Sequence, residues 1–216
     1  MLSTKILSPG QRDLLIHVGV SLSQYDAITI NLIPFTLPDQ IDRVIFSSQN
    51  AVESFKKHSP NTRIAECYCV GHKTAQKIEE IGLTVSKTAK NAIELADFIQ
   101  KTHKNDTFYF LTGSQRRDAI PAIDETTKNS IIEVKTYQNE PNYTKIDGFF
   151  DGIMFFSPNG VLSFTTENTI GNSEAICIGE TTAETVASYT KNIHIANSTT
   201  IESVIAKTVK ILNKND

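Results

Sequence analysis

The chain has 216 residues, 39% of them hydrophobic and 21% charged, and a formal net charge of −3. This composition is typical of a globular protein with one or two domains, and the scattered lysines and arginines argue against a nucleic-acid partner. No apolar run approaches the ~18 residues of a membrane span, so we expect no membrane partner.

Cysteine usage and the first residues indicate the compartment. The three cysteines, Cys67, Cys69 and Cys177, are an odd and sparse set without further ligands at metal-binding spacing. We expect buried, reduced thiols and no metal. Residues 1–7 are followed at once by a polar segment and are too short for a signal peptide, so we expect a cytoplasmic protein.

The beginning of the chain predicts a strand followed by a helix. A short strand is predicted at residues 5–7, and Ser-Pro-Gly then turns the chain. The helix is predicted at residues 11–18, with Leu14, Leu15 and Val18 on one face.

Strands and helices alternate in the remainder of the chain. Further strands are predicted at residues 27–33, 44–46, 67–70, 83–85, 107–111, 131–134, 153–155 and 175–178. Proline-marked linkers are predicted at about residues 34–38 and 139–144. Helix starts at residues 91–94 and 199–202 have the form of capping boxes, and another helix is predicted after residues 112–118. The alternation indicates the α/β class with mainly parallel sheets.

A ten-residue stretch occurs twice. Residues 46–55, FSSQNAVESF, recur as residues 155–164, FFSPNGVLSF, with six identical positions. Each copy predicts a buried strand, a polar turn and the start of a helix. Motifs further along keep the register, since Gly71 matches Gly179 and Glu94 matches Glu202, both at an offset of 108 (179 − 71 and 202 − 94). We infer that one α/β unit of about 105 residues is present twice.

Two assemblies fit this duplication. In one, each copy folds by itself as beads on a string. In the other, the middle of the chain forms one domain and the two ends of the chain pack together as the second. The linkers lie where the second scheme needs two chain crossings, but a tandem duplication supports either pairing.

The turns after the predicted strands are the expected ligand sites, because ligands of open α/β sheets bind beyond the carboxyl ends of the strands. These turns lie at residues 47–48, 71–74, 112–114, 157–160 and 179–182. Helix N-termini in such turns attract anions. We therefore expect a cleft between two lobes that suits a polyanionic ligand.

The residue types favour binding over acid–base chemistry. GxGxxG, Walker, HExxH and GxSxG motifs are all absent, and the five histidines are dispersed and expected at the surface. Ser48 and Ser157 have no base partner, so we expect N-caps rather than nucleophiles. Residues 112–114 could cradle a phosphate as a flavin mononucleotide loop does, although small polar residues are usual in any such turn. Arg116 begins a helix at a sheet edge, where a solvated position is more common than an anion clamp.

The ordered set of motifs resembles the uroporphyrinogen-III synthase family over nearly the whole chain. The motifs are FSSQNAV at residues 46–52, VGHKTA at 70–75, LTG at 111–113, YQ at 137–138, FSPNGV at 156–161, IGETTA at 178–183 and the cap at 199–202. Each motif is weak alone, but their order and spacing together are specific.

The resemblance implies a fold of two similar flavodoxin-like parallel-sheet domains joined by a two-strand connector. One domain would be discontinuous, formed by residues 1–35 plus 145–216, and the other continuous, formed by residues 38–138. Ser48 of one domain and Ser157 of the other would then lie across a single cleft.

The resemblance also implies a reaction. Family members close hydroxymethylbilane, a linear tetrapyrrole with eight carboxylates, to uroporphyrinogen III with inversion of ring D and loss of water. No cofactor is implied, and we expect a monomer. Tyr137 would assist departure of the hydroxyl as a proton donor, and Thr182 would donate a hydrogen bond to the substrate. The implied substrate-binding residues are Ser47, Ser48, Gly71, Gly113, Ser114, Arg116, Ser157, Asn159, Gly160 and Thr181.

One residue departs from the family pattern. Glu180 stands where the family often has proline, and a carboxylate there would repel an anionic ligand unless it points away. Two other functions stay open at this point: a non-catalytic two-lobed binding protein for a polyanionic small molecule, and a flavodoxin-like electron carrier.

Overall fold

The protein divides into two units, each of which makes most of its contacts internally. The structure is a computed structural model that describes residues 1–114 and 128–212. Its contacts divide the chain into unit 1, Met1–Thr29 with Glu140–Asp216, and unit 2, Ile30–Asn139. In this division the two ends of the chain group together and the middle forms the other unit.

Strands and helices alternate along the described chain. In chain order they are β1 Leu2–Ser3, α1 Pro9–Ile16, β2 Ser23–Gln24, β3 Ile28–Leu32, β4 Gln40–Phe46, α2 Gln49–His58, β5 Arg63–Val70, α3 His72–Glu80, β6 Val85–Ala89, α4 Ala92–Thr102, β7 Thr107–Gly113, β8 Ser130–Pro141, β9 Gly152–Phe155, α5 Pro158–Glu167, β10 Glu174–Cys177, α6 Glu180–Val186, β11 Ile193–Ile195 and α7 Ile201–Leu212. Each described helix is too short or too polar to cross a membrane.

The sheet of unit 1 has the strand order β11-β10-β9-β1-β2, and every neighbouring pair is parallel. The central strand β9 is fully buried, and its side chains alternate between two apolar clusters on opposite faces. Ile153 and Phe155 pack on one face, and Met154 packs on the other. Burial on both faces explains why the central strands are continuous apolar runs.

The sheet of unit 2 has the order β3-β8-β7-β4-β5-β6. The pairs from β8 to β6 are parallel. As in unit 1, alternate side chains of the central strand β4 face opposite clusters, with Phe46 on one side and Ile45 on the other. Cys67 and Cys69 face the same side, as their spacing on β5 predicts. The α/β class with two mainly parallel sheets is therefore confirmed.

The two copies of the repeated stretch have the same local structure. Phe46 and Phe55 meet edge to face with ring centroids 5.7 Å apart, and Phe155 and Phe164 do the same at 5.7 Å. In each copy the strand ends at the first phenylalanine, and the second lies on the helix that packs back over it. The repeat in the sequence is thus a repeat in the fold.

The first strand lies earlier than the sequence predicts. The prediction of a strand at residues 5–7 is wrong, because β1 is Leu2–Ser3 and pairs with both β2 and β9. Residues 1–4 are buried, whereas Ile6 is 55% exposed. Burial between two strands thus outweighs the β-propensity of the segment around Ile6. The carboxyl end of β1 consequently falls at Thr4, not at Ser8.

Other local predictions also need correction. Helix α1 ends at Ile16 and buries only Leu15, while Leu14 and, beyond the helix, Val18 are about half exposed, so the predicted apolar face is wrong. The strand predicted at residues 83–85 is β6, Val85–Ala89. Strands β2 and β11 are absent from the prediction because they are two and three residues long. The helix predicted after residues 112–118 falls largely outside the described residues.

The two predicted capping boxes form differently from the prediction. Asn91 caps α4 through the N–H of Glu94, but the Glu94 carboxylate accepts from the N–H of Lys90 rather than from that of Asn91. At α7 the capping side chain is Thr200, which accepts from the N–H of Ser203. Ser203 Oγ accepts from the N–H of Ser198, so this helix start has a single side-chain cap, one residue later than predicted, and no reciprocal box.

Candidate functional site

The carboxyl edge of the unit 2 sheet holds the predicted residues of that unit which the structure describes. Ser48 follows β4 and caps α2, with its Oγ accepting from the N–H of Asn50 at 3.1 Å. Ser47 and Ser48 are both half-buried. A serine hydroxyl that accepts in a cap keeps a hydrogen that it can donate to an anion. The predicted N-cap is confirmed for Ser48.

Gly71 forms the next turn along this edge. Its φ of 85° lies in the left-handed region, which glycine adopts without the steric cost that a side chain brings. Its N–H donates to the carbonyl of Ala89, which ties β5 to β6. No side chain caps helix α3 at Gly71, so the first N–H groups of this helix are directed to the sheet edge without a side-chain acceptor.

Tyr137 and Gly113 are in direct contact at the end of β7 and β8. The pairing of these strands shifts register there, so that Gly113 faces Tyr137. A Cβ atom on Gly113 would lie 2.8 Å from the Tyr137 ring carbons Cε2 and Cζ, closer than atoms tolerate. Only glycine at position 113 therefore lets the phenol lie across the strand end. Ser114 is exposed, and its N–H donates to the Tyr137 carbonyl at 2.9 Å.

Arg116, a predicted binding residue, lies outside the described residues. The structure describes the chain as far as Ser114, and Gly113 of this segment pairs with Tyr137 of β8.

The carboxyl edge of the unit 1 sheet holds a second set of predicted residues. Ser157 follows β9 and caps α5, with its Oγ accepting from the N–H of Gly160 at 3.0 Å. A Cβ atom on Gly160 would lie 3.2 Å from that Oγ, so a side chain at this position would crowd the cap. Asn159, in the first turn, is exposed. Ser157 is thus an N-cap like its counterpart Ser48, again as predicted.

The turn after β10 presents one buried and one exposed threonine. Thr181 is exposed, whereas Thr182 is 1% exposed and belongs to the buried face of α6. Glu180 is exposed at the first position of α6. A carboxylate is favourable beside the positive end of a helix dipole, and proline is favoured at that same first position. The replacement of proline by glutamate is thus compatible with the helix start.

A cavity of roughly 310 Å³ opens at the edge of unit 1. Its wall contains the predicted residues Ser157 and Gly160 together with residues that the sequence reasoning missed. The missed residues are Thr4, Lys5, Asp26, Ile28, Phe156, Ile178 and Ile201. Thr4 and Lys5 are not predicted, because a strand at residues 5–7 would place them away from its carboxyl end, whereas β1 is Leu2–Ser3.

A charged cluster lies at the opposite end of the unit 2 sheet. Arg43 pairs with Glu66 (Nε–Oε2, 2.8 Å) and with Asp106 (Nη1–Oδ1, 3.1 Å), and His103 Nδ1 lies 2.9 Å from Asp106 Oδ2. Tyr68 donates to Glu66 at 2.8 Å, and burial together with this bond raises the pKa of its phenol. Asp106 precedes β7, so the cluster is at the amino end of the strands, away from the predicted site.

Two sequence predictions about titratable residues have different outcomes. His103 is not a surface residue, because its side chain is only 13% exposed and bonded within the cluster. The prediction that every histidine lies at the surface is therefore wrong. The three cysteines are free and buried, as predicted. Burial raises the pKa of the Cys67 and Cys177 thiols to about 12, which makes them poor nucleophiles. Within residues 1–114 and 128–212, no three His, Cys, Asp or Glu side chains are grouped to hold a metal ion.

The sequence and the fold are similar to those of known proteins. The family described as HEM4, uroporphyrinogen-III synthase HemD, matches residues 24–206. The fold is similar to uroporphyrinogen-III synthetase from Helicobacter pylori, with a TM-score of 0.72, 16% identity, and coverage of 97% of this chain and 98% of that one. It is also similar to a mutant uroporphyrinogen III synthase from Thermus thermophilus, with a TM-score of 0.55, 10% identity, and coverage of 99% of this chain and 98% of that one. Among curated proteins, no sequence gives a significant match.

Proposed function

The chain belongs to the uroporphyrinogen-III synthase HemD family, and we propose that the carboxyl edges of its two sheets bind the substrate of that family's reaction. The enzyme is a cyclising lyase of tetrapyrrole biosynthesis that converts hydroxymethylbilane to uroporphyrinogen III, with inversion of ring D and loss of water. The observation that carries this function is the family match over residues 24–206, which includes strands of both units.

The chemistry of the edges suits this substrate. Hydroxymethylbilane carries carboxylates on every pyrrole ring, and each edge presents a helix N-terminus with a capping serine. Backbone N–H groups and hydroxyls at helix starts are good partners for carboxylates. Closure without inversion is spontaneous, so the task of the enzyme is to hold ring D turned while the ring closes. This is catalysis by positioning, which needs many donors and few acid–base groups.

We propose Tyr137 as the residue that assists departure of the hydroxyl. Its phenol has one hydrogen to donate, and the contact with Gly113 supports a fixed ring position at the sheet edge. The register shift between β7 and β8 also supports a functional role for Tyr137, because such irregularities in a strand pair often orient a side chain toward a site.

Thr182 is the second proposed catalytic residue, as a hydrogen-bond donor to the substrate. It follows β10 in the first turn of α6, and it is almost fully buried. Its hydroxyl can serve only a group that comes directly against this helix start. The remaining proposed substrate-binding residues are Ser47, Ser48, Gly71, Gly113, Ser114, Arg116, Ser157, Asn159, Gly160 and Thr181.

We further propose that the enzyme works as a cytoplasmic monomer without a cofactor. The proposed domains are residues 1–35 plus 145–216 and residues 38–138. The division of contacts at Thr29/Ile30 and Asn139/Glu140 supports this organisation.

An isomer assay tests the function. Hydroxymethylbilane is supplied to the purified protein, and the products are oxidised and resolved by chromatography. We expect the type III isomer in excess over the spontaneous type I isomer. Type I alone, in the amount formed without protein, would contradict the function and would leave a non-catalytic binding protein. A colourless preparation is also expected, because a flavin-carrying protein would be yellow.

A further inference from the structure

The unit 1 cavity combines an apolar wall with a single lysine. Phe156, Ile178 and Ile201 are half-buried side chains of this wall, and Lys5 is exposed beside them. The volume of roughly 310 Å³ is near the lower end of the about 300–1,000 Å³ that ligand pockets occupy. A space of this size suits one substituted ring and not a chain of four. The combination of apolar surface and cation fits a flat ring that carries a carboxylate.

The backbone around Lys5 is held from both sides. Thr4 donates to the Met154 carbonyl through both its N–H (3.1 Å) and its Oγ1 (2.8 Å). Ser3 Oγ donates to the Lys5 carbonyl at 2.5 Å. On the far side, the N–H of Ile6 donates to Asp26 Oδ1 at 2.9 Å. The base of the lysine side chain is therefore fixed at the carboxyl end of β1, which lowers the entropic cost of binding an anion.

Asp26 is the second charged residue of the wall, and its charge opposes that of Lys5. One of its oxygens is already engaged by the Ile6 N–H. A neutral asparagine could make the same bond with its carbonyl oxygen. Substitution of Lys5 makes the cavity more negative, and substitution of Asp26 by asparagine makes it less negative. Both changes can keep the hydrogen bond from the Ile6 N–H to residue 26.

From these features we infer that the cavity holds one pyrrole ring of the linear tetrapyrrole and that Lys5 binds a carboxylate of that ring. This inference rests on the proposed function. Lys5 acts in binding, since nothing places it at the bond that forms or breaks. Its contribution is therefore expected in KM and not in kcat, because an interaction equal in the ground and transition states changes only KM.

The test compares initial rates of type III formation in the full-length chain and its variants. Lys5→Met should raise KM for hydroxymethylbilane roughly three- to fivefold with kcat within twofold, since an exposed charge pair contributes up to about fivefold in affinity. Lys5→Arg should restore KM to within twofold. Asp26→Asn should lower KM by about twofold, because it removes a repelling charge.

Lys191→Met is the matched control. Lys191 is exposed in the same unit but precedes β11, so it lies at the amino end of the sheet. Its substitution should leave KM and kcat unchanged. Increasing salt should raise KM of the wild type more steeply than KM of Lys5→Met, because the screened interaction is missing in the variant. Circular dichroism melting curves check that each variant is folded.

The outcomes separate the two proposals. If the wild type makes type III and Lys5→Met has the same KM as Lys191→Met, the lysine inference is overturned and the function stands. If Lys5→Met and Asp26→Asn both shift KM in the same direction and both lower the melting temperature, Lys5 stabilises the fold by pairing with Asp26 and does not bind the substrate. This result also overturns the inference. If the wild type yields only type I, both the function and the inference are overturned.

Discussion

Tyr137 is the residue whose surroundings most specifically support a chemical role. Removal of its hydroxyl leaves the ring and its contact with Gly113 in place. We expect Tyr137→Phe to lower kcat for type III formation roughly ten- to a hundredfold, because help to a leaving hydroxyl contributes about 10²–10⁴-fold in general acid catalysis and water can replace part of it. Isomer-resolved initial rates measure the effect.

The matched control for Tyr137 is Tyr143→Phe, since Tyr143 is 58% exposed and has no predicted role. Gly113→Ala is an independent check of position. Its new methyl group would push against the Tyr137 ring, so activity should fall although the hydroxyl is intact. Full activity in Tyr137→Phe would remove this phenol from the mechanism.

Ser157 allows structural and binding roles to be separated. Ser157→Ala removes the acceptor for the Gly160 N–H and should lower the free energy of unfolding by about 1 kcal/mol. Ser157→Asp also caps a helix, so stability should be kept, but its charge beside the cavity should raise KM for an anionic substrate. Urea unfolding and steady-state kinetics measure the two effects. Equal KM for Ser157→Asp and the wild type would show that no carboxylate binds near this cap.

At the residue scale, the sequence predicts caps better than it predicts the cavity. Ser48 and Ser157 are recognised because an N-cap needs only local residue types at fixed spacing. Lys5 is missed because its place at the sheet edge depends on where β1 ends, and that is decided by pairing with β9, far along the chain. His103 is also missed, since its partner Asp106 is local but its partner Tyr68 is 35 residues away and reaches it only through the fold.

Among the elements, the strands of unit 2 are tied together at their amino ends by the Arg43 cluster. Arg43 on β4 joins Glu66 on β5 to Asp106 ahead of β7, and it also lies 5.8 Å from the Phe108 ring centroid. Loss of the guanidinium would leave two carboxylates close together without their shared cation. This cluster is therefore expected to matter more for stability than ion pairs on the surface.

We expect Arg43→Met to lower the free energy of unfolding by about 2 kcal/mol, because the pairs are only partly exposed and hydrogen bonds to charged groups are stronger than neutral ones. Lys77→Met is the control, since Lys77 bridges Glu53 and Glu80 at the surface and its removal should have no measurable effect. Urea unfolding followed by circular dichroism checks both, as the chain has no tryptophan. Equal effects of the two substitutions would contradict the role of the cluster.

The elements that the sequence predicts well are those with a continuous apolar run or a regular helical pattern. Strands β4, β7 and β9 are recognised by their mostly buried apolar residues at 44–46, 108–111 and 153–155, whereas the polar residues Gln40, Asp42 and Arg43 leave the first half of β4 unpredicted. Strands β2 and β11 carry no such run, and they exist because neighbouring strands offer them partners. The last cap is Thr200 rather than Thr199. Two adjacent threonines are equally suited to cap a helix, so the sequence alone does not decide between them.

For the whole molecule, the buried thiols make stability depend on pH. The pKa of Cys67 and of Cys177 is raised to about 12 by burial, while an unfolded thiol ionises near about pH 8.5. Between these values the unfolded chain binds fewer protons than the folded chain. The free energy of unfolding should therefore fall as pH rises above about 8.5, by at most about 1.4 kcal/mol per pH unit for each thiol.

Urea unfolding at about pH 7.5, 8.5, 9.0 and 9.5 would measure this slope, and these values stay below about pH 10, near which the tyrosines of an unfolded chain ionise. Cys177→Ala removes one of the groups and should make the slope shallower, whatever it does to stability at the lowest pH. The same thiols should not react with a thiol reagent in the folded chain at about pH 8. A stability that is flat over the whole series would contradict this assignment.

The two units should differ in whether they fold from a single stretch of chain. Residues 30–139 contain every strand from β4 to β7 and most of β8, so this fragment should fold alone and melt cooperatively by circular dichroism. Residues 140–216 lack β1 and β2, which complete the unit 1 sheet beside β9. That fragment should remain unfolded until residues 1–29 are added as a peptide. A non-cooperative melt of residues 30–139 would argue against the proposed domains.

The position of β1 beside β9 also has a consequence for how the protein is made. Leu2 is synthesised before unit 2, yet its partner Ile153 is synthesised only after the whole of unit 2. At about 5–20 residues per second, this interval lasts roughly 8–30 s, which is long compared with the folding time of a small domain. The nascent chain thus displays the apolar segment around Leu2 without its partner strand while unit 2 is able to fold. Chaperone engagement during translation should concentrate on this segment, and slow codons inside unit 2 should lower the yield of active enzyme.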